Sequence, residues 1–202
     1  TIVGTCGKGG PAYEVQIFDP DNNRRMLSPG EVGEIGGRGA ALMLGYFGDQ
    51  KSTEGSFNRD GWFMSGDLGR LDAEGNLEIV GRLKDIIIRG GRNILPAKIE
   101  NLTIRHPLVE KAAAIAVSDP RLGEKVCLVV SCNSSATPSP EEILGHLDKQ
   151  GLSKYDMPEY FAIVNEFPLT ASGKILKREL SQQVKQGLLS PLPVKFSVTC
   201  DN

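Results

Sequence analysis

Apolar positions along this chain change their period part-way. Tyr13 to Phe18 alternates, which places Val15 and Ile17 on one face of a strand. Turn clusters follow at Asp19-Pro20-Asp21-Asn22-Asn23 and Ser28-Pro29-Gly30-Glu31. Leu71 to Val80 reads as a hairpin around Gly75-Asn76, and its returning strand runs on to Arg82. Leu83-Lys84-Asp85 then leads into the strand Ile86-Ile87-Ile88, which breaks at Gly90-Gly91 between Arg89 and Arg92. Beyond that turn, helical and strand periods alternate. Pro96 opens a helix with Ile99 and Leu102 on one face, and His106-Pro107 stops it. Lys111 to Val117 reads as a buried strand, although its alanines leave a helix open. Asp119 to Glu124 is a loop, and Lys125 to Ser131 a strand of high β-propensity. After a linker at Ser134 to Pro138, Ser139-Pro140-Glu141-Glu142 forms a capping box before a helix faced by Ile143, Leu144 and Leu147, with Gly151 as its stop. Tyr160 to Val164 is a third strand. Leu176, Leu180 and Val184 make the stripe of a last helix that ends at Gly187.

These elements predict an α+β protein. A β-rich subdomain spans residues 1–83. A small α+β domain spans 84–190, with a roughly three-stranded central sheet flanked by helices, and 191–202 is a tail. The change of period centres on Lys84, so 1–82 and 85–187 are expected to be separate units. An apolar fraction of 40% supports a packed core, and a net charge of -2 gives no reason to expect nucleic acid. No run approaches the ~18 apolar residues that span a membrane. Thr1-Ile2-Val3-Gly4 lacks the regions of a signal peptide, and the first residue is not Met, so the chain is expected to be part of a longer protein. The four cysteines, Cys6, Cys127, Cys132 and Cys200, lack metal-ligand spacing and read as reduced thiols, with Cys127 and Cys132 on opposite faces of a strand. No metal site is expected, and the expected compartment is the cytoplasm. His106 and His146 stand alone in the sequence.

Three stretches carry candidate chemistry. Gly33 to Gly39 is glycine-rich but lacks a following Gly-Lys-Ser/Thr, so a strand end is the better reading than a phosphate loop. In Gly61-Trp62-Phe63-Met64-Ser65-Gly66-Asp67 a glycine allows a tight turn beside a carboxylate, which can either cap that turn or accept two hydrogen bonds from vicinal hydroxyls. In Pro168-Leu169-Thr170-Ala171-Ser172-Gly173-Lys174 a lysine sits on a loop with little to anchor it; Ile175 replaces the hydroxyl that a Walker motif needs.

Together with Gly81 to Ile94, these last two stretches resemble, in order and spacing, the adenylate-forming superfamily of acyl-CoA synthetases, luciferases and peptide-synthetase adenylation domains. The likeness runs over about residues 1 to 186. Ile88-Arg89-Gly90-Gly91-Arg92-Asn93-Ile94-Leu95-Pro96 is most similar to the AMP-forming acyl-CoA ligases. The resemblance implies that a carboxylic acid is activated by ATP to an acyl-adenylate and then transferred to CoA. It implies that Lys174 is the catalytic lysine, that Asp67 and Arg82 bind the ribose of ATP or AMP, and that Lys84 is the hinge on which the small domain rotates between the two half-reactions. Gly90 and Gly91 would face the pantetheine of CoA, with Arg89, Arg92 and Arg178 as candidates for its phosphates. Magnesium is expected to be bound by residues outside this chain. Family members usually carry Glu where Lys98 stands. The adenine and magnesium segments and the acyl pocket would belong to a missing N-terminal domain, so the chain alone is expected to be inactive. A peptide-synthetase or luciferase-type enzyme, or a non-catalytic nucleotide-binding module on the same fold, is the alternative.

Overall fold

The computed structural model describes residues 4–133 and 136–196. Cys200, and Ser134 and Ser135 of the expected linker, lie outside the described residues. The chain divides into two units between Lys84 and Asp85.

The first unit is an antiparallel five-stranded sheet in the order β2-β1-β3-β4-β5. Its strands are β1 (Tyr13–Asp19), β2 (Asn22–Met26), β3 (Gly33–Gly39), β4 (Phe63–Leu71) and β5 (Leu77–Arg82), with one short helix, α1 (Gln50–Gly55). The alternation in β1 gives way at its end, where Ile17 and Phe18 are both buried. Phe18 meets Trp62 edge-on at 5.3 Å, and Arg38 lies 4.5 Å over the same indole. The glycine-rich stretch is strand β3, and its glycines serve space. A Cβ at Gly36 would stand 2.4 Å from the Phe18 ring, and one at Gly37 would stand 1.9 Å from the Tyr13 hydroxyl. Helix α1 has no signal in apolar spacing, since none of its residues is buried; only its cap, Asp49 accepting from the Ser52 N–H, marks it.

The second unit opens with a 3-10 turn (Leu83–Asp85 spans the boundary) and contains β6 (Ile87–Arg89), β7 (Arg92–Ile94), α2 (Pro96–Thr103), β8 (Val109–Asp119), β9 (Gly123–Cys132), α3 (Pro140–Lys149), β10 (Tyr160–Ile163), α4 (Lys177–Lys185) and β11 (Leu192–Pro193). The three expected strands are β8, β9 and β10, and the β6–β7 hairpin and β11 extend them to a six-stranded sheet. β8 and β9 pair antiparallel around a tight turn, and β10 runs parallel to β9. Successive residues of a strand face opposite sides. Ala112, Ala114, Val126, Leu128 and Val130 therefore pack with Ile99 of α2 and Ile143, Leu144 and Leu147 of α3. Ala113, Ile115, Cys127 and Val129 pack with Leu180 of α4 on the other face. Alanine along β8 lets the helices sit close to the sheet.

Pro96 is at the start of α2, and the Ser139/Glu142 capping box is formed in α3. Helix α2 ends at Thr103, earlier than His106-Pro107 suggested, with the Thr103 hydroxyl donating back to the Ile99 carbonyl. The expected tail is not detached at its start. β11 pairs with β10, the Val194 N–H donates to the Glu159 carbonyl, and Val194 and Phe196 pack on the core. The two histidines do not stand alone: their rings meet edge-to-face at 5.1 Å between the ends of α2 and α3. Cys6, Cys127 and Cys132 are free thiols, and burial pushes the Cys127 thiol up to about 12. No helix among the described residues is long and apolar enough to cross a membrane.

Candidate functional site

In the first unit the candidate residues lie on the β4–β5 pair. Strand β4 carries a bulge against β3: Gly36 faces Met64 and Glu34 faces Leu68, leaving Ser65 to Asp67 opposite Ile35. Gly66 takes φ +72°, which a side chain would oppose. Buried Glu34 holds the bulge by accepting from the Gly66 N–H at 3.0 Å, and the Ser65 hydroxyl accepts from the Asp67 N–H. The bulge re-aims Asp67, and β5 returns Arg82 directly opposite it. Arg82 Nε donates to Asp67 Oδ1 at 2.7 Å. Both side chains are partly exposed, at 51% for Arg82 and 30% for Asp67, so the pair is open to a polar ligand. Glu34 carried no signal in the sequence; only the bulge reveals its role.

In the second unit the Gly90-Gly91 turn is the two-residue tip of the β6–β7 hairpin, with Arg89 paired to Arg92. Gly90 and Gly91 take φ +57° and +82°, the pairing of a type I′ turn. The hairpin is fixed from several sides. The Gly90 N–H donates to the Leu122 carbonyl and the Ile88 N–H to Glu124. Arg89 is ion-paired with Glu159, and Arg92 donates to Asp156 at 2.7 Å. That hydrogen bond and the Asp156 charge raise the Arg92 pKa. Glu159 also accepts from the Val126 N–H of β9. The two arginines singled out for phosphates are thus already engaged by carboxylates and hold the turn against the sheet. Arg178 is exposed and borders a shallow groove of about 460 Å³ with Glu179, Gln182, Gln183 and Gln186.

The loop of Lys174 is better anchored than its sequence suggested. Leu169 bridges to Ile175. The Thr170 N–H donates to the Lys174 carbonyl at 2.8 Å, the Lys174 N–H to the Thr170 hydroxyl at 3.0 Å, and the Gly173 N–H to the Thr170 carbonyl at 2.9 Å. This small hairpin leaves Lys174 exposed, with no ion-pair partner for its ammonium among the described residues. Lys84 is exposed within the 3-10 turn and Lys98 is exposed on α2. Among the described residues no three His, Cys, Asp or Glu side chains are grouped to hold a metal ion.

Residues 98–174, from the first full turn of α2 through Lys174, match the family described as the AMP-binding enzyme C-terminal domain. The chain carries the C-terminal domain of AMP-binding enzymes. Outside the AMP-binding C-terminal domain the likeness continues into the first unit. The chain is 37% identical over 181 residues to the medium-chain fatty-acid–CoA ligase of Escherichia coli (strain K12), covering 89% of this chain and 32% of the relative. It is 37% identical over 185 residues to a mitochondrial medium-chain acyl-CoA ligase of Mus musculus, covering 92% of this chain and 30% of the relative. The fold superposes on the crystal structure of ATP-bound MatB from Rhodopseudomonas palustris with a TM-score of 0.83 at 34% identity, over 90% of this chain and 36% of that one. The chain therefore spans about a third of the length of the relatives it matches. The mixed fold of two sheets and four helices agrees with the expected architecture.

Proposed function

We propose that this chain is the C-terminal portion of an AMP-forming acid–CoA ligase, that its missing partner is the N-terminal domain of the same enzyme, and that the chain alone is inactive. The observation that carries the reading is the free, exposed ammonium of Lys174 on a hydrogen-bonded hairpin at the end of the AMP-binding C-terminal domain. A carboxylate oxygen attacks the α-phosphorus of ATP and the bond to pyrophosphate breaks. Lys174 neutralises the charge that gathers on carboxylate and phosphate and holds them in line. Lysine suits this as a point charge on a flexible stem. Asp67, whose second carboxylate oxygen is not engaged by Arg82, accepts from the ribose hydroxyls, and Arg82 faces the same sugar. Magnesium belongs in this proposal to residues outside the chain.

In the second half-reaction the thiol sulfur of CoA attacks the acyl carbon and the bond to AMP breaks. The turn at Gly90 and Gly91 lets the pantetheine arm approach the backbone, most openly at Gly91, where a Cβ would meet open space, whereas one at Gly90 would stand 3.2 Å from Leu122. Arg89 and Arg92 serve this step as anchors of the turn more than as phosphate ligands, and Arg178 remains a candidate for phosphate. Lys84 is the hinge. The carboxylic acid is of the medium-chain class that the relatives' names give, and the compartment is cytoplasmic, to be checked by fractionation because the mouse relative is mitochondrial.

The test is Lys174→Ala in the full-length ligase. ATP–pyrophosphate exchange should fall by about 10² to 10³, the cost of losing one transition-state charge contact. Thioester formation from supplied acyl-adenylate should stay close to wild type. Equal loss in both halves refutes the role given to Lys174.

A further inference from the structure

We infer that Lys177 is a positioning residue for adenylate formation, acting through a clasp with Glu100 that closes over the open edge of strand β8. The inference rests on the role proposed above for Lys174, three residues earlier in the chain.

Among the described residues β9 is the only strand that pairs with β8, so the other side of β8 presents unpaired backbone groups. Such an edge is a liability unless it is covered or satisfied. Helix α2 lies on one face of the sheet, through Ile99 against Ala112 and Ala114, and α4 lies on the opposite face, through Leu180 against Ala113 and Ile115. At the edge between them, Glu100 Oε1 accepts from the Ala114 N–H of β8 at 2.7 Å. The same oxygen meets Lys177 Nζ at 2.6 Å, and Asp85 stands 3.9 Å from that ammonium. The Glu100 side chain is 15% exposed and that of Lys177 is 25% exposed, so the pair is largely withdrawn from water. Removing one partner of such a pair leaves the other charge withdrawn from water without its counter-ion, which costs more than breaking a surface ion pair.

The consequence concerns the hairpin of Lys174. Lys177 is the first residue of α4, directly after the chain leaves the Leu169–Ile175 bridge. This helix lacks a side-chain cap at its N-terminus. Its start is held by the Leu176 N–H, which donates to the Pro168 carbonyl at 2.8 Å, by Ile175 packed beside Leu180, and by the one side-chain grip on its first turn among the described residues, that of Lys177 on Glu100 of α2, with Asp85 3.9 Å away. Loss of the grip leaves the Leu176–Pro168 bond, Ile175 and Leu180 to dock the helix but loosens its first turn, and the Lys174 ammonium loses its close registration against the reacting atoms. Lys177 has no need to touch substrate for this.

Three variants of the full-length ligase, with Lys174→Ala alongside, test the clasp. Lys177→Met keeps the stem and removes the charge. Its adenylation kcat should fall about 10- to 100-fold, the usual cost of a small misplacement, with the KM for ATP and thioester formation from supplied acyl-adenylate unchanged. Lys177→Arg should restore most of the rate. Glu100→Gln keeps the bond to Ala114 and weakens only the ion pair, so it should show a smaller loss confined to the same half-reaction, and it serves if Lys177→Met fails to fold. In the 202-residue chain, amide exchange at Gly173 and Lys174 should quicken by about tenfold in Lys177→Met. Unchanged adenylation and unchanged exchange overturn the inference, and so does an equal loss in both half-reactions without rescue by arginine. If Lys174→Ala is crippled while Lys177→Met and Glu100→Gln are not, the clasp alone is refuted. If Lys174→Ala leaves adenylation intact, the role of Lys174 falls first.

Discussion

Leu180 is the only fully buried residue of α4, and it seats the helix that follows the Lys174 hairpin. Leu180→Ala removes three carbon groups from a site with no exposure. At about 0.8 kcal/mol each, the transfer term is about 2.4 kcal/mol. The packing around it comes from sheet residues Ala113, Ile115, Cys127 and Val129, held by strand pairing, so the gap collapses only in part. The cavity term should then bring the loss to about 3 kcal/mol. A helix of nine residues does not stand by itself in water, so the loss should appear first as opening of α4. Amides near its C-terminus, such as Gln186 and Gly187, should exchange about 10²-fold faster by mass spectrometry. Urea unfolding should show the second unit still folded at rest, because single domains carry about 5–15 kcal/mol. A loss below about 1 kcal/mol, or α4 amides as protected as in the parent chain, would refute the view that Leu180 docks this helix.

Further expectations concern the hinge, the glycine turn and one ion pair. Lys84→Pro fixes φ near -65° and should, in the full-length ligase, block one half-reaction and spare the other, whereas Lys84→Ala should do far less; separate assays of each half decide it. Gly91→Val at φ +82° should cost about 1–2 kcal/mol and slow thioester formation while leaving ATP–pyrophosphate exchange near wild type. The Asp119 carboxyl is held at about 2, first by the hydrogen bond from Lys125 and then by backbone N–H groups, below its ordinary 3.8. A depressed carboxyl favours the folded state above its unfolded value, and that contribution is lost as pH falls from about 4 towards 2. Lys125→Met should move the Asp119 titration, followed by NMR, back towards 3.8 and flatten this acid-side loss.

Much of the second unit was legible because its helices announce themselves. Pro96, the Ser139/Glu142 box and Gly187 are local signals, each set by backbone chemistry within a few residues. The hairpin between β4 and β5 was legible too, whereas a common site for Asp67 and Arg82 came from the family resemblance and not from the spacing. What the sequence hid is of two kinds. Very short elements carry no period: α1 buries nothing, β7 has three residues and β11 has two, whereas β6 shows as a run of isoleucines. Long-range polar partners leave no trace in spacing. Arg89 finds Glu159 and Arg92 finds Asp156 across 70 and 64 positions, so side chains that read as free anion ligands are bound inside the fold. The same holds for Glu34 with Gly66, for Lys177 with Glu100, and for the two histidines. The hairpin at Lys174 misled for a different reason, since its order comes from a threonine hydroxyl and a backbone ladder that small polar residues do not advertise.

The three thiols among the described residues form a graded set of chemical reporters. Cys6 is exposed, Cys132 is partly covered, and Cys127 lies at the centre of the sheet with its pKa at about 12. At pH 8 only about one Cys127 in 10⁴ is thiolate, and a maleimide has no path to it while Leu180 of α4 covers that face of the sheet. Cys6 can therefore take a fluorophore under native conditions with Cys127 silent. The rate at which Cys127 is alkylated then clocks the lifting of α4 from the sheet, with no change in the core.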